Sequence, residues 1–178
     1  MTNRPRYFHI VDFEATCSQD NSVRREEMEI IEVGAVMVDG RSLEVLGEFQ
    51  SLVRPVRRPV LTPFCRELTS ITQADVDAAP PFAEVADRWR AWAAPFEGGV
   101  LSSWGEYDRN QLEQDCRFHR LAYPFPPEHI NLKAEFSRRL GQRRRFGLAA
   151  ALKRTGLTLQ GTHHRGLDDA KNIARLLP

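Results

Sequence analysis

Cysteine is scarce in this chain. Cys17, Cys65 and Cys116 are odd in number and widely spaced along 178 residues. That argues against a disulfide framework or a zinc site and suits a reducing cytoplasm. No apolar run approaches the roughly 20 residues of a membrane-spanning helix. The run after Arg6 is not followed by a small-residue cleavage pattern, so no signal peptide is expected and the protein is read as cytoplasmic. Internal repeats, low-complexity tracts and linkers are also missing, so one domain over residues 1–178 is expected, long enough to bury a proper core. Acid is nearly missing from residues 138–178, which hold ten Lys and Arg against Asp168 and Asp169, a balance of +8 that offsets −7 over residues 1–137. A basic segment on an otherwise acidic chain points to a polyanionic partner, or is a solvated helix face.

What the chain does have begins at Tyr7-Phe8-His9-Ile10-Val11-Asp12-Phe13-Glu14-Ala15-Thr16. This apolar, β-prone run ends in Asp-x-Glu. With a strand period of two, the carboxylates of Asp12 and Glu14 share one side and Phe13 takes the other. Two such acids repel and cost stability unless a cation lies between them. The pattern fits a cation site or two solvated acids at a strand end, and carboxylates arriving later decide between these.

Residues 30–38 read as a second strand, Asp39-Gly40 as a turn and residues 43–53 as a third strand, closing an antiparallel meander. Residues 54–63 are punctuated by proline and are expected on the surface. Residues 70–76 read as a capped helical turn. Phe82, Val85, Trp89 and Trp92 recur at helical spacing over residues 82–94. A fourth strand is expected at 100–104, and helices at 107–120, 132–140, 148–154 and 166–177. Strands that then alternate with helices define an α/β sandwich around a mixed sheet.

In open α/β folds, sites lie beyond the carboxyl ends of strands. Asp12 and Glu14 lie at one such end, and Asp108 opens the helix after the fourth strand, where a plain helix-start acid also fits. The last helix carries Asp168 and Asp169. Leu167, Ala170, Ile173, Ala174 and Leu177 form its buried stripe, so Asp168 is expected in water and Asp169 beside the stripe, facing the sheet. His164, five residues earlier, belongs on the preceding loop, either over the site or as an exposed bystander. Four carboxylates supply hard oxygen ligands and about −4 of charge, a set suited to two Mg²⁺ or Mn²⁺ ions rather than zinc. Such a pair serves in-line displacement at phosphorus, with an imidazole of pKa about 6.5 as base.

Asp12-Phe13-Glu14, Trp104-Gly105-Glu106-Tyr107-Asp108 and His164 with Asp169 resemble the DEDDh group of 3′-to-5′ exonucleases. The likeness extends through Asp12-Phe13-Glu14-Ala15-Thr16-Cys17, Arg54-Pro55, Leu68-Thr69-Ser70-Ile71-Thr72-Gln73 and the segment from Gly166 to Arg175, and covers residues 7–177. Within the group it resembles the branch of the histone-mRNA 3′-end and Eri-type exoribonucleases, with the bacterial KinA-pathway-inhibitor-like exonucleases. The resemblance implies a ribonuclease-H-like exonuclease fold, an antiparallel meander plus parallel strands flanked by helices. It implies that Asp12, Glu14, Asp108 and Asp169 bind two Mg²⁺ or Mn²⁺ ions and that His164 is the general base. It further implies release of nucleoside 5′-monophosphates from single-stranded 3′ ends, RNA or short oligoribonucleotides before DNA. The terminal nucleotide would lie against Phe13, Ala15 and Thr16 and an aromatic, either Trp104 or Tyr107. A DNA-directed 3′ exonuclease, or an idle relative kept for nucleic-acid binding or regulation, are the alternatives. No separate RNA-binding module and no obligate protein partner are read in the chain. The Arg138–Arg145 cluster has no motif status: it guides a phosphate backbone or is solvated surface.

Overall fold

The alternation in Tyr7–Ala15 makes this segment, β1, the middle strand of a five-stranded sheet. The computed structural model describes residues 4–177. β2 (Ile30–Asp39) runs antiparallel to β1, and β3 (Val45–Leu52) antiparallel to β2, which is the expected meander. β4 (Gly99–Ser103) lies parallel to the other edge of β1, and β5 (His129–Asn131) parallel to β4. The sheet order is β3-β2-β1-β4-β5, a mixed sheet with helices on both faces.

The helices are α1 (Pro63–Thr69), α2 (Gln73–Asp77), α3 (Phe82–Ala93), α4 (Tyr107–His119), α5 (Leu132–Arg139), α6 (Leu148–Arg154) and α7 (Gly166–Ala174). The strand period assigns them to faces. Val11 and Phe13 of β1 pack with Val33 and Ala35 of β2 against Phe82, Val85 and Trp89 of α3 and Leu112 and Cys116 of α4. Phe8 and Ile10 pack with Val36 and Val38 against Leu132, Ala151, Leu152, Ala170 and Ile173 of α5, α6 and α7. Asp12 and Glu14 continue the Phe8–Ile10 row, so the two acids emerge on the α7 face, while the Phe13 side chain anchors the opposite core.

Three elements depart from expectation. Pro63 starts a helix instead of closing a surface segment: its fixed φ and missing N–H suit the first helical position, and the Thr62 hydroxyl caps the turn by accepting the Cys65 N–H at 3.0 Å. β5 has three residues in a proline-rich stretch, too few to show a period, and forms because β4 offers it an edge. The last helix stops at Ala174 and does not reach Leu177. The Leu176 and Leu177 N–H groups bond to the Ile173 and Ala174 carbonyls in a tighter, three-residue turn.

Close approach of α7 to the sheet fixes the site. A Cβ on Gly34 of β2 would lie 1.9 Å from the carbonyl carbon of Gly166, and one on Gly166 would lie 2.7 Å from the Asp12 carbonyl oxygen. Only glycine at both positions lets the first turn of α7 rest on β1 and β2 beside Asp12.

Candidate active site

β1 outruns β4: their pairing ends at Ile10 and Ser102. The Phe13 N–H therefore has no strand partner on that side and donates to Asp108 Oδ1 at 2.9 Å. Asp108, 4% exposed in the first turn of α4, is thus tied to the backbone between Asp12 and Glu14. Asp169 reaches the same place from α7. One ligand oxygen each from Asp12, Glu14 and Asp169 lies within 4.8 Å of the others.

These acids differ from the other buried carboxylates. Glu29 accepts the N–H groups of Val56, Arg57 and Arg58 at 2.9, 2.6 and 3.0 Å. Glu32, opposite Glu14 across the strand pair and 0% exposed, accepts Arg165 Nε and Nη2 at 3.0 Å each and the Gly166 N–H at 3.0 Å. Among the described residues no donor reaches the carboxylates of Asp12 or Glu14. Burial, reinforced by Asp169, Glu32 and Asp108, pushes the Glu14 carboxyl up to about 8. Burial, then Asp108, Glu14, Asp169 and Glu32, holds Asp12 well above the usual carboxylate range. Asp108 is pushed up by burial to about 6, restrained by the hydrogen bonds from the Phe13 N–H and its own backbone N–H. Crowded acids without donors hold either protons or a cation, and an all-carboxylate oxygen set fits a hard divalent ion such as Mg²⁺ or Mn²⁺.

The loop leading into α7 is folded back and pinned by the helix it precedes. Asp168 Oδ2 accepts the Thr162 N–H at 2.8 Å, Asp169 Oδ2 accepts the His164 N–H at 2.8 Å, and Asn172 brackets Gln160 through both its amide atoms. His164 has φ of 62°, the turn that reverses the chain into the helix. Asp168 therefore does not point into water, as helix periodicity alone predicts. It is half-buried because the preceding loop covers that face. His163 Nδ1 lies 2.9 Å from Asp169 Oδ2, and the His163 and His164 rings stack at 4.0 Å between centroids. Spacing alone assigns His163 no role, although it stands next to His164 in the sequence. Burial and the neighbouring His163 lower the His164 pKa, against the opposing pull of Asp169, so its ring is neutral near pH 7.

A cavity of about 310 Å³ joins these groups. Asp12, Glu14, Asp108, Asp169, His163 and His164 line its polar side, and Ala15, Cys17, Met28, Leu68, Trp104, Tyr107 and Leu148 the rest. Of the residues expected against a nucleotide, Ala15, Trp104 and Tyr107 are walls. Phe13 also borders the cavity, but its ring is 4% exposed in the opposite core, so it presents backbone. Thr16 is not among the walls: its hydroxyl accepts the Glu29 N–H at 3.0 Å and closes the base of the 17–29 loop. That loop is drawn over the site by α4, where Gln111 and Gln114 hold the Met28 carbonyl at 2.9 and 2.7 Å. Arg25 lies 4.5 Å above the Tyr107 ring. The Trp104 indole donates to the Phe146 carbonyl at 3.0 Å and packs against Phe136.

Such a site, carboxylates from β1 and from the helix after β4 joined by an acid of the last helix and imidazoles of the loop before it, defines a class of metal-dependent hydrolases. The chain belongs to the Exonuclease (RNase_T) family, which matches residues 9–177, and within it to the DEDDh exonucleases, hydrolytic nucleases of ribonuclease-H-like fold that generally use Mg²⁺. The mouse protein "ERI1 exoribonuclease 3" is 37% identical over 186 residues, which cover 98% of this chain and 53% of that protein. The rat protein "3′-5′ exoribonuclease 1" is 36% identical over 178 residues, 96% of this chain and 51% of that one. The chain thus spans about half the length of these relatives. The nuclease domain of 3′hExo, described as a DEDDh family member bound to rAMP, superposes with a TM-score of 0.88 at 35% identity, covering 97% of this chain and 90% of that one. Among the described residues no helix is long and apolar enough to cross a membrane.

Proposed function

We propose that this protein is a 3′-to-5′ exoribonuclease that removes nucleoside 5′-monophosphates one at a time from single-stranded 3′ ends. The observation that carries this reading is the crowding of Asp12, Glu14 and Asp169 within 4.8 Å, without hydrogen-bond donors to the first two and with imidazoles beside the third. Asp12, Glu14, Asp108 and Asp169 would hold two Mg²⁺ or Mn²⁺ ions. When bound, these would activate the attacking water and offset charge on the leaving oxygen. His164, neutral near pH 7, takes the proton from that water. His163, hydrogen-bonded to Asp169, holds the carboxylate and stacks on the His164 ring.

The cavity volume of about 310 Å³ suits one nucleotide, which supports removal of single residues. Tyr107 supports base stacking better than Trp104. It is 38% exposed and Arg25 covers one face of its ring, whereas the Trp104 indole is spent on Phe146 and Phe136. A stacked base contributes about 1–3 kcal/mol. The rAMP in the related nuclease domain supports a ribose-bearing substrate. The test is digestion of matched 5′-labelled RNA and DNA oligonucleotides with Mg²⁺. A ladder of RNA products shortened from the 3′ end, with 5′-monophosphates released, is expected. Equal rates on DNA would assign a general 3′ exonuclease, and no metal-dependent shortening of either would overturn the reading.

A further inference from the structure

The loop between α5 and α6 is fastened to the cavity at its base and carries charge at its tip. Phe146 supplies the carbonyl that holds the Trp104 indole, its ring packs on Phe136, and Leu148, two residues on, is a cavity wall. Arg143, Arg144 and Arg145 precede this anchor and are exposed. Arg138 pairs with Glu135 at 2.6 Å, whereas Arg139, Arg143, Arg144 and Arg145 have no ion-pair partner among the described residues. Arg139 lines a second groove, of about 600 Å³, whose wall also includes Trp104. Trp104 therefore borders both the carboxylate cavity and a groove lined by Arg139, and the loop that carries the exposed Arg143, Arg144 and Arg145 is anchored to its indole through Phe146.

We propose that Arg139, Arg143, Arg144 and Arg145 bind the backbone phosphates of single-stranded nucleic acid upstream of the 3′-terminal nucleotide, where the strand leaves the cavity past Trp104. The direction of the strand rests on the exonuclease reading. A cavity with room for one nucleotide leaves the rest of the chain outside, and a polyanion nearing four carboxylates is repelled unless cations flank its path. Contacts to phosphate carry no sequence information, so this surface gives a preference for length rather than for sequence. Each phosphate released from its counterions steepens the salt dependence of binding to a single strand by about 0.7 in log–log slope.

The test compares the protein with the Arg143→Gln/Arg144→Gln/Arg145→Gln variant. Binding of a fluorescent twelve-nucleotide RNA is measured by anisotropy in EDTA between about 50 and 200 mM salt. Turnover of that RNA and of a dinucleotide is measured with Mg²⁺. The expected result is a slope shallower by about 2 in the variant. A loss of about tenfold or more in kcat/KM on the longer RNA at low salt should accompany it, with dinucleotide turnover unchanged within about twofold. Equal slopes would overturn the proposal, as would equal loss on both substrates. So would displacement of the RNA by polyglutamate as readily as by unlabelled RNA, which would assign the surface to an acidic protein. Should the protein cleave neither RNA, the exonuclease reading fails and the salt slope still decides the phosphate contacts.

Discussion

Arg165 lays its guanidinium against the fully buried carboxylate of Glu32, with Nε and Nη2 each at 3.0 Å. Arg165 is also the residue before the first turn of α7, between His164 and Gly166. The pair therefore clamps the imidazole loop to β2, and it neutralises an acid that faces Glu14 across the strands. Removing one partner of a buried pair strands the other charge, at a cost of about 3 kcal/mol. Arg165→Ala is expected to lose about that much stability in urea unfolding, with Arg165→Lys in between, because an ammonium cannot reproduce the fork. The Gln50 amide also donates to Glu32, so a loss below about 1 kcal/mol would mean that Glu32 finds enough from Gly166 and Gln50 alone.

Glu14 ties stability to pH in the absence of metal. Its folded carboxyl titrates at about 8, above the ordinary carboxylate range, so its contribution is full below that range and is lost as pH rises through about 8. The chelated protein is expected to melt lower at pH 8.5 than at pH 6, by on the order of 5 °C for about 2 kcal/mol in a domain of this size. Mg²⁺ or Mn²⁺ should raise the melting temperature more at the higher pH, where binding displaces fewer protons. Glu14→Gln should weaken the metal-free pH dependence, leaving the share that Asp12 carries, and remove most of the metal-induced rise. A metal-free melting temperature that climbs from pH 6 to 8.5 would contradict the crowding.

Gly34 tests how α7 is placed. Gly34→Ala puts a methyl 1.9 Å from backbone that cannot yield without lifting the helix off the sheet. Overpacking against rigid backbone costs about 3 kcal/mol or more. The expected outcome is a protein that is unfolded or strongly destabilised in circular dichroism, whereas Gly147→Ala, with nothing within 4 Å of its Cβ, should leave stability within about 0.5 kcal/mol. Comparable effects at both positions would contradict the docking of Gly166 on β2.

The proposed mechanism gives the two imidazoles distinct parts. His164→Ala is expected to lower kcat by about 10²–10⁴-fold, the usual worth of a general base, while the metal-induced rise in melting temperature persists. His163→Ala should cost about tenfold to a hundredfold, as loss of an outer partner does to a ligating carboxylate, and should weaken the response to metal as well. A deeper loss in kcat from His163→Ala than from His164→Ala would reverse the assignment.

Much of this was legible in the sequence because period and position carry it. The period of two separates Asp12 and Glu14 from Phe13, and the period of 3.6 places Asp169 on the sheet side of α7. What stayed hidden depends on segments that fold back. Asp168 looks solvent-facing on a bare helix and is covered only because residues 160–164 return over it. Thr16 sits within the strand-end motif, but the 17–29 loop claims its hydroxyl. Glu32 is marked in the sequence as the one charged residue between Ile30 and Val38, in the interior of a strand buried on both faces. Such a position calls for a partner from elsewhere in the chain.

The most direct measurement is Mn²⁺ uptake followed by electron paramagnetic resonance, on the full chain and on Asp12→Asn and Asp169→Asn. Two ions per chain are expected for the unaltered protein, with at least one lost in each variant together with RNA hydrolysis. Uptake that is the same in all three proteins would contradict the claim that these carboxylates are gathered to hold divalent ions.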